Sequence, residues 1–198
     1  FQGDSIMYHR FFIVPEKFAL LSGESTRVHC RLTDDFTQSD VAISPERINI
    51  CRIKGNNIHA EIKNFYVEGK TLIFDIPKLE EGAYLIELIL KTRIIDLTAE
   101  KFNSYLMHEN LTQILNLIET QRLHKEIYRE QYTHHAKTVI QVGSKRDATF
   151  FGKSLSHMLE IIPESDPLQL KECDILKVQV LYEENPLSFA RIAYGYSK

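Results

Sequence analysis

Residues 26–32 read TRVHCRL, a run in which side chains of two kinds alternate. Successive side chains of a strand point to opposite faces, so this period of two predicts a strand with one buried face. Gly23 precedes the run, and Asp34-Asp35 ends it. The residues expected on the buried face are Thr26, Val28, Cys30 and Leu32.

Short apolar runs continue on the C-terminal side of this strand, at a spacing of about ten residues. Turn residues such as Gly55-Asn56-Asn57 separate them. The expected strands are Ile48–Ile53, Ile58–Val67, Leu72–Ile76 and Tyr84–Leu90. Short antiparallel strands at this spacing predict a mainly β fold, with a β-sandwich domain over residues 5–96.

The apolar spacing becomes helical after Thr98. Thr98 is a plausible N-cap, and Glu100 lies in the first turn of the helix that would follow. The apolar residues at spacings of three and four are Phe102, Tyr105, Leu106, Leu111, Ile114, Leu115 and Ile118. Ile127, Tyr128 and Tyr132 indicate either a third helical piece or a break near Gln121–Leu123. We therefore expect a helical insertion over residues 97–135, whose aromatic residues dock it on the sandwich or line a ligand groove.

Strand signals return after the insertion. The expected strands are Thr138–Val142, Leu159–Ile162, Ile175–Tyr182 and a final edge strand at Phe189–Tyr196. These strands predict a second, small β unit over residues 136–198.

Composition and charge argue against nucleic acid as a partner and against a membrane-spanning segment. The chain has 198 residues, 24 lysines and arginines against 27 aspartates and glutamates, and a net charge of −3. The basic residues form no block, which argues against nucleic acid as a partner. No apolar run approaches the roughly 20 residues needed for a membrane span. Phe1-Gln2-Gly3 resembles the remnant of a tag-protease site, so residues 1–3 are left out of the fold prediction.

Common enzyme motifs for serine hydrolases, zinc proteases and nucleotide-binding loops are missing from the sequence. We therefore expect a protein without catalytic activity. Cys30, Cys51 and Cys173 are too few and too scattered for a disulfide scaffold. Cys30 and Cys51 pair if their strands are neighbours; otherwise all three are small apolar residues.

Histidine supplies the candidate binding residues. Imidazole is the commonest side chain that binds nickel, zinc or copper at neutral pH. None of the eight histidines has a histidine partner at i+4 on a predicted helix. The candidates for a metal site are His9, near the start of the chain, and the adjacent pair His134 and His135. Adjacent residues do not share a face, so the pair would need ligands from elsewhere.

Four stretches, in the same order, resemble a periplasmic family of unknown function that was formerly grouped with NikM-type nickel-transport components. The first is His9–Pro15, and the second is Ala99–Leu106 followed by Glu109–Leu111. The third is Tyr128–Lys137, which continues into Val139 and Val142-Gly143. The fourth is Leu159–Pro163 with Asp166-Pro167, Val180–Tyr182 and Pro186-Leu187.

The resemblance implies an immunoglobulin-like or transthyretin-like β-sandwich in a periplasmic or extracellular protein whose signal peptide has been removed. It also implies that the native chain continues past Lys198. The leading hypothesis is a non-enzymatic accessory protein that binds a nickel or cobalt ion and serves a membrane transport component. The alternative is a metal-free module that binds a protein or a glycan through an exposed apolar patch on the insertion.

Overall fold

The computed structural model describes residues 10–33, 39–55, 57–146, 151–192 and 194–195. His9 and the Asp34-Asp35 turn therefore lie outside the described residues. The two helices are α1 (Ala99–His108) and α2 (Thr112–Thr120). The strands are β1 (Arg10–Pro15), β2 (Ala19–Leu20), β3 (Thr26–Thr33), β4 (Ile48–Lys54), β5 (His59–Glu61), β6 (Tyr66–Glu68), β7 (Thr71–Ile76), β8 (Gly82–Leu90), β9 (Arg93–Thr98), β10 (Ile127–Tyr132), β11 (His135–Val142), β12 (Leu159–Pro163), β13 (Val178–Tyr182) and β14 (Asn185–Pro186).

Two sheets share the main hydrophobic core. One has the strand order β1-β3-β7-β6 and the other β2-β11-β8-β4-β5. Val28, Cys30 and Leu32 on β3 are buried in this core, as their alternation with polar residues predicts. The mainly β prediction is confirmed, whereas the immunoglobulin-like or transthyretin-like topology stays a prediction.

The expected strand Ile58–Val67 is two short strands in different sheets. β5 pairs with β4, whereas β6 pairs with β7. Between them the chain crosses from one sheet to the other, and Phe65 packs edge-on against Phe74 at a ring-centroid distance of 5.7 Å. The pattern over residues 58–67 therefore predicted one strand where the chain passes from one sheet to the other.

The sandwich takes strands from both sides of the insertion. β11 pairs antiparallel with β8 over eight residues, so it belongs to the five-stranded sheet. The expected boundary at residue 136 consequently does not separate two β units, because β11 completes the first one. Within the described ranges, the separate small sheet consists of β12, β13 and β14.

The insertion begins earlier than expected, directly after β8, and its residues 91–134 contain two strands as well as two helices. The side chain of Thr98 accepts a hydrogen bond from the backbone N–H of Lys101, which confirms Thr98 as the N-cap of α1. Of the two alternatives for this stretch, the break is confirmed, because α2 ends at Thr120 and Arg122 has a φ of 53°. The third helical piece is wrong, because Ile127–Tyr132 is β10, paired with β9. Burial alternates along β10 with a period of two. Neither described helix is long and apolar enough to span a membrane.

The expected final strand at Phe189–Tyr196 is also wrong within the described residues. Phe189 has a φ of 59° and is fully exposed. This left-handed conformation is incompatible with an extended strand.

Candidate functional site

The two adjacent histidines of the metal hypothesis face opposite sides of their sheet. The ring of His134 lies 5.8 Å from that of Phe11 and 5.3 Å from that of Tyr132. The ring of His135 lies 4.9 Å from that of His157. His134 and His135 therefore belong to two separate environments.

His134 is a neutral imidazole in an aromatic and basic environment. Burial, followed by the positive charge of Arg47 and then His135, lowers its pKa to about 4. Its Nδ1 atom is buried and has no hydrogen-bond partner. A neutral imidazole can bind a metal ion, but the nearby guanidinium of Arg47 repels a cation.

His135 lies beside a buried ionic network that the sequence did not predict. At its centre is Glu87 on β8, whose carboxylate lies 2.8 Å from Nε2 of the buried His157. Arg52 Nε is 2.5 Å from the other carboxylate oxygen of Glu87, although not aligned for a hydrogen bond, and Lys54 Nζ is 3.5 Å from it. Three basic side chains from two elements thus converge on one buried carboxylate.

The charge of Glu87 is stabilised by these neighbours. Burial alone would raise its pKa, but the hydrogen bond from His157 and the charges of Lys54 and Arg52 outweigh it and lower the pKa to about 2. Glu87 is therefore ionised at neutral pH.

A second buried carboxylate joins the small C-terminal sheet to the sandwich. Glu160 on β12 accepts hydrogen bonds from Lys137 Nζ at 2.7 Å, Ser154 Oγ at 2.9 Å and the backbone N–H of Leu155 at 3.0 Å. Burial opposes these contacts, which nevertheless lower its pKa. Lys137 also lies opposite Glu87 in the β11–β8 register. The two carboxylates and their cations form a polar layer between the two sheets.

The one sequence signal for this layer was Glu87 itself, the single charged residue in the apolar run 83–90. A lone charge in such a run is buried on one face of the strand and needs a partner there. His157 follows a loop whose position could not be predicted from the sequence.

Metal ligands are few at either histidine. Within the described residues, no three or more histidine, cysteine, aspartate or glutamate side chains are arranged to hold a metal ion. The metal site at His9, His134 and His135 stays a prediction, since His9 lies outside the described residues. Cys30 and Cys51 are buried, unpaired and in different sheets. Burial raises the pKa of both thiols, that of Cys51 to about 12, so neither is a reactive thiolate at neutral pH.

The aromatic residues of the insertion pack mainly on one another. The rings of Phe102 and Tyr128 stack at 4.4 Å, and the Tyr105 hydroxyl donates a hydrogen bond to Glu130. They form the internal core of the insertion rather than an open groove. Its exposed apolar side chains are Ile94, Met107, Leu117, Leu123 and Ile127.

An apolar surface also lies on the C-terminal sheet. Leu159 is directly opposite Tyr182, and Ile161 is directly opposite Val180. Leu159, Ile161 and Tyr182 are each about half exposed, whereas Glu160, between the two β12 residues, points inward and is buried. Six side chains make up this face, which we call the outer face: Leu159, Ile161, Pro163, Val178, Val180 and Tyr182.

One edge of this sheet is unpaired. Hydrogen bonds from Glu183 N to Met158 O and from Glu164 N to Lys177 O show that the even-numbered residues of β12 bond to β13. The backbone N–H and C=O groups of Leu159 and Ile161 therefore point away from β13. No strand within the described part of the chain pairs with that side of β12.

A depression of about 290 Å³ lies elsewhere, at the loop after β4 and the start of β8. Its lining includes Lys78, Glu80, Glu81, Tyr84 and Lys145, but neither a histidine nor a cysteine. The buried pair of Glu87 and His157 does not line this depression.

Residues 8–198 match the model of a protein family described as a domain of unknown function, DUF4198. The chain belongs to that family. The match brings no link to nickel transport, so that part of the expectation has no support from it.

No curated protein matches the chain. A solved polysaccharide lyase aligns with 42% of this chain at 18% identity and a TM-score of 0.28. The alignment covers 10% of the lyase, so this chain spans only a small part of that protein's length. A TM-score this low carries no argument about fold or activity.

Proposed function

We propose that this chain is an exported, non-enzymatic interaction module that binds an extended segment of a partner protein along β12. The observation that carries the proposal is the unpaired edge of β12 beside an exposed apolar face. An added strand would bond to the outward backbone groups of Leu159 and Ile161. Its alternate side chains would extend the outer face.

The chemistry of the outer face favours a polypeptide over a glycan. Of its six side chains, only Tyr182 carries a hydrogen-bonding group. Sugar hydroxyls need several such groups at their binding site, whereas an extended peptide takes its hydrogen bonds from the edge of the sheet.

A role without catalysis is supported by how the buried titratable groups are used. Glu87 bonds to His157 and pairs with Arg52, and Glu160 accepts a hydrogen bond from Lys137. These groups hold two sheets together, and none of them lines the depression at the start of β8.

The test is selection from a library of displayed ten-residue random peptides on the immobilised chain, followed by affinity measurement. We expect enriched peptides with apolar residues at alternate positions. Binding is expected to be lost when the peptide backbone is N-methylated, or when Ile161→Pro removes the outward N–H of β12. Val67→Thr is the control, because it changes an exposed residue of a different edge strand, β6, and keeps the backbone N–H. We expect this variant to bind the selected peptides as the unchanged chain does.

Three outcomes would overturn the proposal. Absence of enriched peptides is one, and binders that are indifferent to Ile161→Pro are another. The third is concentration-dependent dimerisation of the chain in sedimentation experiments that Ile161→Pro abolishes, which would make a second copy the occupant. Because Ile161→Pro could unfold the small sheet, Ile161→Lys provides a second variant that keeps the backbone N–H.

A second candidate function is nickel or cobalt binding, and one feature of the His135 side chain supports it. The Nδ1 atom of His135 is buried without a partner, and its ring faces His157 near the carboxylates of Glu87 and Glu160. Titration calorimetry of tag-free, chelator-treated protein tests it. Binding that His135→Ala abolishes would support a site there. Loss of binding in His9→Ala or His134→Ala would support a site formed by His9 and His134. Absence of metal binding by the unchanged chain would overturn the nickel or cobalt hypothesis.

A further inference from the structure

The two chain crossings between sandwich and insertion bring three basic residues together. Arg47 ends the short 3-10 helix Pro45–Arg47, and Arg93 begins β9 directly after Lys91 and Thr92. The backbone N–H of Lys91 donates to the carbonyl of Arg47 at 2.7 Å, and an Arg47 guanidinium N–H donates to the carbonyl of Lys91 at 3.5 Å. These bonds fix the position of both segments relative to each other.

The returning chain lies against the same place. Tyr132 is opposite Arg93 in the β9–β10 register. The hydroxyls of Thr92 and Thr133 lie 2.7 Å apart, and the carbonyl of His134 accepts a hydrogen bond from Leu90 N at 3.0 Å. We call the group Arg47, Lys91, Arg93, Tyr132 and His134 the junction cluster.

The positive charges of the junction cluster have no acidic partner. Within the described residues, no carboxylate lies at ion-pair distance from Arg47, Lys91 or Arg93. Other arginines of the chain do have such partners, for example Arg129 with Asp96 at 2.7 Å. An uncompensated basic cluster is unexpected in a chain whose net charge is −3.

Electrostatic and polar details agree with this geometry. Burial and then the charge of Arg93 lower the pKa of Arg47, as happens when two guanidinium groups lie near each other without an anion. The Tyr132 hydroxyl accepts a hydrogen bond from the Arg47 guanidinium, which holds the two side chains together and leaves the hydroxyl proton of Tyr132 free to donate.

We propose that the junction cluster binds a tetrahedral oxyanion, a phosphate or sulfate group. Guanidinium forks match the oxygen spacing of such groups, and Lys91 and Tyr132 add further donors around them. A cation is disfavoured here by the same charges. This inference is independent of the strand-addition proposal, because the cluster lies at the insertion and not at β12.

The experiment follows amide chemical shifts and calorimetric heats while inorganic phosphate or sulfate is added at constant ionic strength, balanced with chloride. We expect saturable binding with shifts at Thr92 and Thr133. Arg93→Gln is expected to weaken binding at least about tenfold, in line with loss of one charge-assisted hydrogen-bonded contact. Arg93 is exposed, so this variant is expected to fold.

Arg129→Gln is the matched control. It removes the same charge from the strand paired with β9, but from an arginine already bonded to Asp96. We expect less than a twofold change. Equal weakening by both variants would show a response to overall charge and overturn the proposal, as would absence of saturable binding. A separate titration with glucose 6-phosphate shows whether the bound phosphate is free or part of a larger molecule. Tighter binding than that of inorganic phosphate would indicate a phosphate group carried on a larger molecule.

Discussion

His157 Nε2 lies 2.8 Å from Glu87 Oε2, across 70 residues of sequence, and both side chains are almost fully buried. The contact joins the segment before the C-terminal sheet to the central strand of the sandwich. With the Lys137–Glu160 pair it holds β12 on the sandwich, so that the outer face of the small sheet is turned outward.

Glu87→Gln is expected to destabilise the fold by about 3 kcal/mol, because it leaves Arg52, Lys54 and His157 facing a neutral amide in a buried place. Urea unfolding measures the change. Glu119→Gln removes an exposed carboxylate 3.5 Å from His124 and is expected to cost less than about 0.5 kcal/mol. Equal costs for the two variants would contradict a structural role for the buried network.

Acid is expected to weaken the fold through Glu87 and Glu160. Both have a lowered pKa in the folded state, about 2 for Glu87, so the unfolded chain binds protons more readily. The contribution of Glu87 is present above its unfolded pKa of 4.5 and is lost as the pH falls towards 2, and that of Glu160 is likewise lost as the pH falls below 4.5. Unfolding free energies between pH 5 and 2 test this, and Glu87→Gln should flatten the slope.

His134 is expected to change the free energy of unfolding in a higher pH range than the two carboxylates. Its pKa falls from about 6.5 in the unfolded chain to about 4 in the folded protein. Stability is therefore expected to decrease as the pH falls from 6.5 to 4, since the unfolded state takes up the proton first. His134→Phe keeps a ring beside Phe11 and should remove this slope between pH 6.5 and 5. An unchanged slope would mean that the imidazole is protonated in the folded state.

Leu106→Ala is expected to destabilise the insertion by about 3 kcal/mol, because Leu106 is its most deeply buried helical residue and truncation leaves a cavity. Its neighbour Met107 is 67% exposed, and Met107→Ala should cost less than about 0.5 kcal/mol. Hydrogen exchange of the α1 and α2 amides measures both. Similar protection in the two variants would show that the helices do not depend on this packing.

Gly143→Ala and Gly69→Ala separate backbone strain from crowding. Both glycines have a φ near 60°, so each substitution is expected to cost about 1 kcal/mol. At Gly143 the added Cβ would also come within 2.5 Å of the Glu81 side chain, which bonds Ser144. Thermal unfolding should therefore show the larger loss for Gly143→Ala, and the reverse order would contradict the Glu81 contact.

Local pattern predicted the central elements well. Alternation over residues 26–32 gave the buried face of β3, and Thr98 with the helical spacing after it gave α1. The residues around Ile127 left a helical piece and a break as alternatives and did not predict β10, because a short segment containing tyrosines fits both periods until its pairing partner is known.

The candidate sites depended on contacts between distant segments. The junction cluster brings Arg47 together with residues 91–93 and 132–134, and nothing local to any of these segments signals the others. The outer face could not be predicted either. Leu159 and Ile161 fit the pattern of an ordinary strand, and they face outward because Glu160 between them points inward to Lys137.

The most direct test of strand addition is hydrogen exchange, residue by residue along β12, with and without a selected peptide. We expect the amides of Leu159 and Ile161 to exchange readily in the free protein and to become protected on binding. Glu160 and Ile162 already bond to β13 and should change little. Protection that appears on another surface, or none at Leu159 and Ile161, would contradict the account.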